Sequence, residues 1–460
     1  MTLILGAGLA GLTAAHDLDG HDVLVLERED EVGGLCRSIR ERGFTFDYTG
    51  HLLHLRDAAL RAWTLALLGS DGWAHLRRSA WIHSHGVLTP YPFQANTAGL
   101  PLEVRLECLL GFVEALRAPL AAAVPVPEAV PVDARLPHLA VAPPPRDDEP
   151  SFLDWIHRTF GAGFARHFFE PYNGKLWRRD LSDVTGDWVS WSIPRPELRD
   201  VLRGAITPSD KAFGYNPQFL YPAAGGIDHL PRAIAARLPG RVLRTGVAIE
   251  RIDAGRRRAR LSDGSVEEYD VLLASAPLPA LVAAMEDAPA ALRADARALS
   301  WVSIRAVNVG VRGPPVRPDA QWIYVPDPSI AFHRIGLPCA LTPAMAPDGH
   351  HALVAEISFD PHHDPGPDAH VEASLDGFAR CGLLPDRGAV VHVRVVDIPT
   401  AYVVFDRARR EVLPRLMAWC LAHDVVPLGR YGAWDYLSME DSLRHGRQAA
   451  VWVRERAGVR

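Results

Sequence analysis

A four-residue apolar run, Thr2-Leu3-Ile4-Leu5, leads straight into Gly6-Ala7-Gly8-Leu9-Ala10-Gly11, and few folds accept that order of residues. A short all-apolar segment suits a strand buried on both faces, and Leu12 to Leu18 favour helix. Asp22-Val23-Leu24-Val25-Leu26 then reads as a second buried strand ending on Glu27. Gly6 permits the tight turn, Gly8 leaves room for a pyrophosphate against the backbone, and Gly11 lets helix and strand touch. The helix N-terminus adds N–H groups and the positive end of its dipole. Glu27, 21 residues beyond Gly6, is spaced to accept hydrogen bonds from an adenosine ribose. The opening of the chain therefore predicts a parallel α/β unit that holds a dinucleotide.

A second glycine pair follows in Glu31-Val32-Gly33-Gly34-Leu35-Cys36-Arg37-Ser38. Gly33 and Gly34 let the chain run close to the dinucleotide, and Arg37 can counter phosphate charge. This arrangement resembles the extended FAD signature of the amine oxidase and protoporphyrinogen oxidase superfamily. The resemblance makes FAD rather than NAD the resident cofactor and adds Arg28, Leu35 and, through its backbone against adenine, Val247.

Composition fits an enzyme. The 460 residues allow two or three domains, and 23% charged with 48% hydrophobic is ordinary for a globular chain. A net charge of −6 gives no reason to expect nucleic acid, and Arg256-Arg257-Arg258 reads as solvated strand ends. No apolar run approaches the ~18 residues of a membrane span, and a cofactor strand at residue 2 leaves no signal peptide. The expectation is a cytoplasmic protein without a membrane partner. Cys36, Cys108, Cys339, Cys381 and Cys420 are scattered and lack C-x-x-C spacing, so they read as reduced thiols. His350-His351 and His362-His363 lack a carboxylate or cysteine frame, and no metal site is expected.

The expected fold is α/β, a Rossmann-like FAD-binding domain assembled from separated segments with an inserted α+β substrate domain. Residues 1–57, 211–277 and 425–460 are assigned to the FAD domain, and 58–210 and 278–424 to the substrate domain. The second cofactor piece starts near Tyr221-Pro222-Ala223-Ala224-Gly225-Gly226. A helix at 227–238, strands at 248–252, 258–261 and 270–274, and a turn at Asp263-Gly264 follow. Helices are expected at 102–117 and 152–169, the second opened by a Ser151/Asp154 capping box. The apolar residues Leu102, Val104, Leu106, Leu109, Leu110 and Phe112 read as a core face. The Pro- and Ala-rich stretch 119–150 reads as a surface linker or insertion.

Four further motifs, in order, carry a narrower resemblance. They are Phe44-Thr45-Phe46-Asp47-Tyr48-Thr49-Gly50-His51-Leu52-Leu53-His54, Tyr91-Pro92-Phe93-Gln94-Ala95-Asn96, Glu170-Pro171-Tyr172-Asn173-Gly174-Lys175-Leu176-Trp177 and Gly429-Arg430-Tyr431-Gly432-Ala433-Trp434-Asp435-Tyr436-Leu437-Ser438-Met439-Glu440-Asp441. They resemble elements of UDP-galactopyranose mutases. In that family N5 of reduced flavin attacks the anomeric carbon of a nucleotide sugar, the ring opens and recloses, and the nucleotide returns. The resemblance implies pyranose/furanose isomerisation of a nucleotide-activated sugar with FAD in its reduced form, and NADPH or NADH as candidate reductant. It places Gly50 and His51 beside the flavin, with His54 a further candidate. Gly429, Arg430, Ser438, Met439, Glu440 and Asp441 are assigned to FAD. Tyr402 and Tyr436 are assigned to the diphosphate and, with His51, to catalysis. Asn173, Lys175 and Trp177 are assigned to substrate.

The chain also departs from that family. Its two substrate-clamping arginines fall at or near Ser192, aligned on Ile193-Pro194, and near Val302 in Ser300-Trp301-Val302-Ser303. Arg195 and Arg305 are the nearby substitutes. Two alternatives stand: a redox flavoenzyme of the amine, porphyrinogen or polyene oxidase type, and a non-catalytic FAD-binding protein. The sequence leaves the oligomeric state open.

Overall fold

The computed structural model describes residues 1–117, 128–146, 148–189, 193–208, 211, 213, 217–456 and 458. Five parallel strands form one sheet in the order Leu243–Arg244, Val23–Leu26, Thr2–Leu5, Val271–Ala274 and Val425–Pro427. The sequence's first strand is the central one, with Leu3 and Ile4 fully buried. Helix Leu9–Asp17 follows it, and helix Met439–Arg456 lies across that helix. A β-carbon on Gly446 would stand 2.4 Å from the Ala10 carbonyl oxygen, so the two backbones touch. The start, middle and end of the chain thus meet in one sheet, the α/β class expected.

Several boundaries move. Helix Ala58–Leu68, expected in the substrate block, packs on helices His229–Ala235 and Met439–Arg456 of the cofactor side. Strand Trp73–Arg77 pairs antiparallel with Gln218–Pro222, an element the sequence reading lacked. The 258–261 strand and the Asp263-Gly264 turn sit in a three-stranded antiparallel sheet. The basic run beside it is mostly exposed, with Arg257 paired to Asp424.

The second large sheet has seven strands. Their order is Val390–Val403, Trp301–Arg312, His350–Phe359, Arg334–Gly336, Trp322–Tyr324, Ala80–Ser84 and Val87–Pro90. All pairings are antiparallel except Trp322–Tyr324 with Ala80–Ser84. One face packs Val307, Ile323, Ile335 and Ile357 against Leu375 and Phe378 of helix Pro367–Arg380. The other face is left to build a site.

The expected 152–169 helix is instead three pieces. Phe152–Phe164 begins with the Ser151/Asp154 capping box, Ala165–Phe169 is a wider π turn, and Glu170–Trp177 resumes α geometry. The break follows Gly161, whose φ is +78° and whose β-carbon would meet the Gly111 carbonyl oxygen at 2.0 Å. Helix Leu102–Arg117 buries Val104, Cys108, Gly111 and Phe112 there. Leu102, Leu106 and Leu110 face solvent instead of the core, beside Leu198, Leu202 and Ile206 of helix Leu198–Ile206.

The Pro-rich stretch is not a surface linker over its described part; residues 119–127 and 147 lie outside the described residues. Val130–Pro131 pairs with Ala140–Val141, and the ribbon buries Leu136, His138, Leu139 and Ala142. Arg410, itself buried, donates from Nε to the Pro143 carbonyl at 2.8 Å and pairs with Glu149 at 2.5 Å. His138 stands 4.6 Å, ring to ring, from His445 of the C-terminal helix. Apolar anchors and a buried guanidinium therefore hold this proline-rich stretch.

Burial pulls the His138 imidazole down to about 4 and His445 well below its ordinary value. The unfolded chain then binds protons that the folded chain refuses, so stability is full above pH 6.5 and is lost as pH falls from 6.5 toward 4. The His138 shift alone is about 3 kcal/mol. Urea denaturation across that range should show the midpoint falling with pH, and His138→Leu with His445→Leu should flatten the slope.

Candidate active site

A cavity of about 890 Å³ is lined by residues of both large sheets. On the parallel-sheet side the glycines define its shape. Gly6 has φ +98°, and a β-carbon on Gly11 would lie 2.0 Å from the Gly6 carbonyl oxygen. Gly8 differs: a β-carbon there meets nothing within 4 Å. It caps helix Leu9–Asp17 without a side-chain hydrogen bond, leaving that helix end to a ligand. Gly33 bridges to Gly8, and a β-carbon on Gly34 would lie 3.4 Å from the Gly8 Cα. An open space beneath a bare helix N-terminus, walled by glycine backbone, fits a dinucleotide diphosphate.

Glu27 lines the cavity and also stitches the loop. Its carboxylate accepts from the Ala7 N–H at 2.8 Å and the Glu29 N–H at 3.1 Å. Arg37 donates to the Gly34 carbonyl at 2.9 Å and pairs with Glu29 at 3.2 Å, so it fixes the glycine pair. Its hydrogen bond holds the Glu29 carboxyl below its ordinary value. Arg28 stands exposed on the rim, and Leu35 lines the wall. The Val247 N–H is taken by the Glu27 carbonyl at 2.9 Å. Ala248 and Ile249, rather than Val247, line the cavity.

Gly50, His51, Gly429, Arg430, Ser438 and Met439 meet deeper in the same space. Arg430 donates to the Leu437 carbonyl at 3.0 Å, with its guanidinium 4.8 Å from the Tyr436 ring centre. Glu440 and Asp441, expected at the cofactor, are turned away from it. Asp441 accepts from the Ser438 N–H at 2.9 Å in a capping box, and buried Glu440 accepts from the Asp57 N–H at 2.7 Å and Arg56 Nε at 3.0 Å. Carboxylates in a first helical turn satisfy backbone N–H groups before they reach a ligand. They hold the helix whose start presents Ser438, Met439 and Ser442 to the cavity.

His51 Nδ1 lies 3.0 Å from the Thr49 carbonyl, which can only accept. The proton is therefore on Nδ1 and the Nε2 lone pair remains an acceptor. Burial, with Arg430 and Arg334 nearby, drops its pKa to about 4, so the ring is neutral at pH 7. His54 is bound to the Gln218 carbonyl at 2.8 Å and is not among the lining residues. Tyr402 and Tyr436 both line the cavity, their rings 5.8 Å apart. Burial pushes the Tyr402 hydroxyl up, which keeps it a proton donor.

None of the five expected substrate residues lines the cavity. Asn173 donates to the Phe169 carbonyl at 2.8 Å, inside its own helix. Lys175 donates to the Val325 and Asp327 carbonyls at 2.8 and 2.9 Å, and burial draws its ammonium down to about 7. Trp177 is buried one row back, 6.2 Å from the Tyr402 ring. Arg195 stacks on Trp155. Arg305, 2% exposed, is gripped by Asp397 and Asp364 at 2.7–2.8 Å. Strand alternation explains it: Ile304 faces the cavity, so Arg305 faces the other side of the sheet. Ser192 lies outside the described residues, and Val302 is buried core.

Beyond the arginines of the glycine loop and Arg430, Arg334 and Arg78 also reach the cavity, and Arg334 stands on the face of the second sheet. Arg334 donates three hydrogen bonds to Glu356, at 3.0, 2.8 and 2.6 Å, beside Gly50 and Tyr324. The sequence held a usable signal: Glu356 is the one acid in the apolar strand Ala352-Leu353-Val354-Ala355-Glu356-Ile357, and a buried carboxylate demands a cation. Among the described residues no group of three or more His, Cys, Asp or Glu side chains gathers as a metal site, and no helix is long and apolar enough to cross a membrane. The five cysteines are free thiols.

The family described as flavin containing amine oxidoreductase matches residues 9–453. The chain belongs to that family. FAD is accordingly the cofactor that the glycine cradle fits. Over 99% of this chain and 94% of the other, the fold superimposes on the crystal structure of reduced UDP-galactopyranose mutase, with TM-score 0.88 and 25% identity. A putative protoporphyrinogen oxidase from Exiguobacterium sp. follows at TM-score 0.73 and 17% identity, covering 99% and 98%, a likeness of fold alone. Similar curated sequences include an inactive all-trans-retinol 13,14-reductase of Danio rerio, 46% identical over 56 residues, which are 11% of this chain and 9% of that protein. A 4,4'-diapophytoene desaturase of Staphylococcus aureus is 29% identical over 82 residues, 17% of this chain and 16% of the relative.

Two substitutions separate the roles of the glycines. Gly8→Val should leave the apoprotein's melting temperature within a few degrees yet abolish FAD binding, read by the flavin spectrum after dialysis. Gly11→Ala, forced against the Gly6 carbonyl, should lower the melting temperature itself. Arg305→Met should destabilise by about 1 kcal/mol, since Asp364 and Asp397 keep contact with solvent and can hydrate, with the KM of the folded enzyme unchanged.

Proposed function

We propose that this flavoprotein is a mutase acting on a nucleotide-activated sugar, interconverting its pyranose and furanose ring forms. The observation that carries the reading is the meeting of His51, Tyr402, Tyr436 and Arg334 on one cavity wall, in a chain that follows a mutase fold over nearly its whole length. Tyr402 offers a neutral O–H donor with the Tyr436 ring beside it, and Arg334 offers a planar cation, a set suited to a diphosphate leaving group. In this reading Arg334 takes the part sought at Arg195 and Arg305. Glu356 fixes the guanidinium plane before any ligand arrives. Neutral His51 orients its neighbours through Nε2 while its N–H stays on Thr49. Reduced FAD, when bound, supplies the nucleophile toward carbon. The remaining tasks belong to the chain: it orients the sugar, holds the departing nucleotide nearby, and keeps water out.

A cytoplasmic setting, a nucleotide sugar as the partner and NADPH or NADH as reductant belong to the same proposal. The curated desaturase, matched over 17% of this chain, favours net redox chemistry as the second reading. Stoichiometry separates the two. Under anaerobic conditions the mutase should need reductant only in catalytic amount and yield an isomeric product. One equivalent of NADPH or dithionite per product, or hydrogen peroxide release in air, would overturn it. His51→Ala should lower the rate more than it lowers FAD occupancy. Arg334→Lys should raise KM for the nucleotide sugar by tenfold or more, roughly the 1.5–3 kcal/mol of a charged hydrogen bond.

A further inference from the structure

The bend between helices Gly429–Gly432 and Met439–Arg456 carries Trp434, Tyr436, Leu437 and Ser438 to the cavity wall. Trp434 has a left-handed backbone, φ +52°, a region in which so bulky a residue is strained. Arg42, His85, Arg178, Arg257 and Asp424 share that sign of φ, but none of them lines the cavity. The Trp434 ring is fully buried and meets Trp301 at 5.9 Å, centre to centre. Two residues on, the Tyr436 ring lies 5.8 Å from that of Tyr402. Strain of this kind persists only where the surroundings enforce it.

Contacts at both ends and in the middle hold the bend. At its start the Ala433 and Asp435 N–H groups donate to the Gly429 and Arg430 carbonyls at 3.0 and 2.9 Å. At its end Arg430 Nε donates to the Leu437 carbonyl at 3.0 Å. In the middle Arg409 Nε donates to the carbonyl of Trp434 itself, also at 3.0 Å. Arg409 is 4% exposed and lies 4.2 Å from the Phe405 ring centre, in the first turn of helix Arg407–Ala422. Asp435 Oδ1, 3.5 Å from its guanidinium, accepts from the Tyr436 N–H at 2.8 Å. Burying a guanidinium is costly unless its hydrogen bonds offset the lost hydration. Here the guanidinium faces the backbone of one strained residue and the carboxylate that holds the Tyr436 N–H.

We propose that Arg409 is a positioning residue for this site: by gripping the Trp434 carbonyl it keeps the backbone left-handed there and so sets the Trp434 and Tyr436 rings on the cavity wall. Arg409 itself does not line the cavity. The inference goes beyond the mutase reading, because the bend serves a ligand of either flavin chemistry. Arg410, the next residue, is as deeply buried, yet it bonds the Pro143 carbonyl and Glu149. It gives a matched control: a buried arginine of the same helical turn whose hydrogen bonds lead away from the bend.

In the FAD-loaded protein, hydrogen exchange of residues 433–438 is read by mass spectrometry for Arg409→Gln, Arg409→Lys and Arg410→Gln, with melting temperature and flavin content alongside. Arg409→Gln should speed exchange there about tenfold or more, the scale of a lost local tether. Arg409→Lys, which keeps one donor, should fall between glutamine and wild type. Arg410→Gln should lower the melting temperature and leave 433–438 as in wild type. If Arg409→Gln does not fold, the lysine variant carries both comparisons. Calorimetric affinity for UDP then connects the bend to the site. Arg409→Gln should weaken UDP about tenfold, and Tyr436→Leu should cost less in that background than in wild type, because the ring is already displaced. Unchanged exchange at 433–438 in the Arg409 variants, an equal rise in Arg410→Gln, or additive losses with Tyr436→Leu overturn the inference. A wild-type protein that does not bind UDP overturns the mutase reading instead, and the exchange result alone then decides this one.

Discussion

Backbone pressed on backbone at the glycine loop is the constraint from which the rest follows. Gly11 meets the Gly6 carbonyl with no room for a side chain, and Gly446 meets Ala10 in the same way from the other end of the chain. These contacts draw helix Leu9–Asp17 down onto the central strand and pin the C-terminal helix across it. Gly8, left open between them, is then the one position on the loop where space is kept rather than filled. Helix Met439–Arg456 is aimed by the same packing, so that its first residues reach the cavity.

The facing sheet works by a different economy. Trp301–Arg312 and His350–Phe359 are buried on both sides, and the charged groups they carry there are held in matched sets. Arg334 with Glu356 is such a set on the cavity face; Arg305 with Asp364 and Asp397 is another on the reverse. Both involve an arginine held by two edges, yet their roles diverge because strand alternation sends them to opposite sides. The first can meet a ligand, and the second can only brace the sheet. Asp47 is a third buried group: it accepts from Ser38 Oγ and the Tyr221 hydroxyl at 2.6 Å and from the Ile227 N–H at 3.0 Å. It thereby ties the first cofactor segment to the second, and desolvation lifts its carboxyl to about 6.

The cofactor end was legible because its requirements are local. A tight turn, a close approach and an acid at the strand end all fall within thirty residues, so Gly6, Gly8, Gly11 and Glu27 could be read from order alone. His51, Tyr402, Tyr436 and Arg430 were reached through motif resemblance, and the structure brings them to the same cavity. The substrate end was not legible. Its residues come from several different strands or their flanks, and which side chains share a face depends on register that no single segment encodes. Lys175 and Arg305 looked like substrate ligands by residue type, but Lys175 is turned to the Val325 and Asp327 carbonyls and Arg305 is held by Asp364 and Asp397. The Pro-rich stretch read as a surface linker or insertion because proline removes ladder donors, but a short ribbon forms there and Leu136, Leu139 and His138 anchor it by burial.

The cofactor sheet joins a central strand and an edge strand that lie some four hundred residues apart along the chain. Thr2–Leu5 and Val23–Leu26 emerge early, while Val425–Pro427 and the helix that carries Gly446 follow some four hundred residues later. At about 5–20 residues per second the ribosome imposes a wait of roughly 20–80 s between them. During that interval the Val271–Ala274 edge lacks its neighbour and the glycine loop lacks the helix that backs it. The nascent chain must therefore carry an open parallel edge across that interval, and it is the segment from Val425 onward, not the glycine motif alone, that decides when the cofactor can be captured.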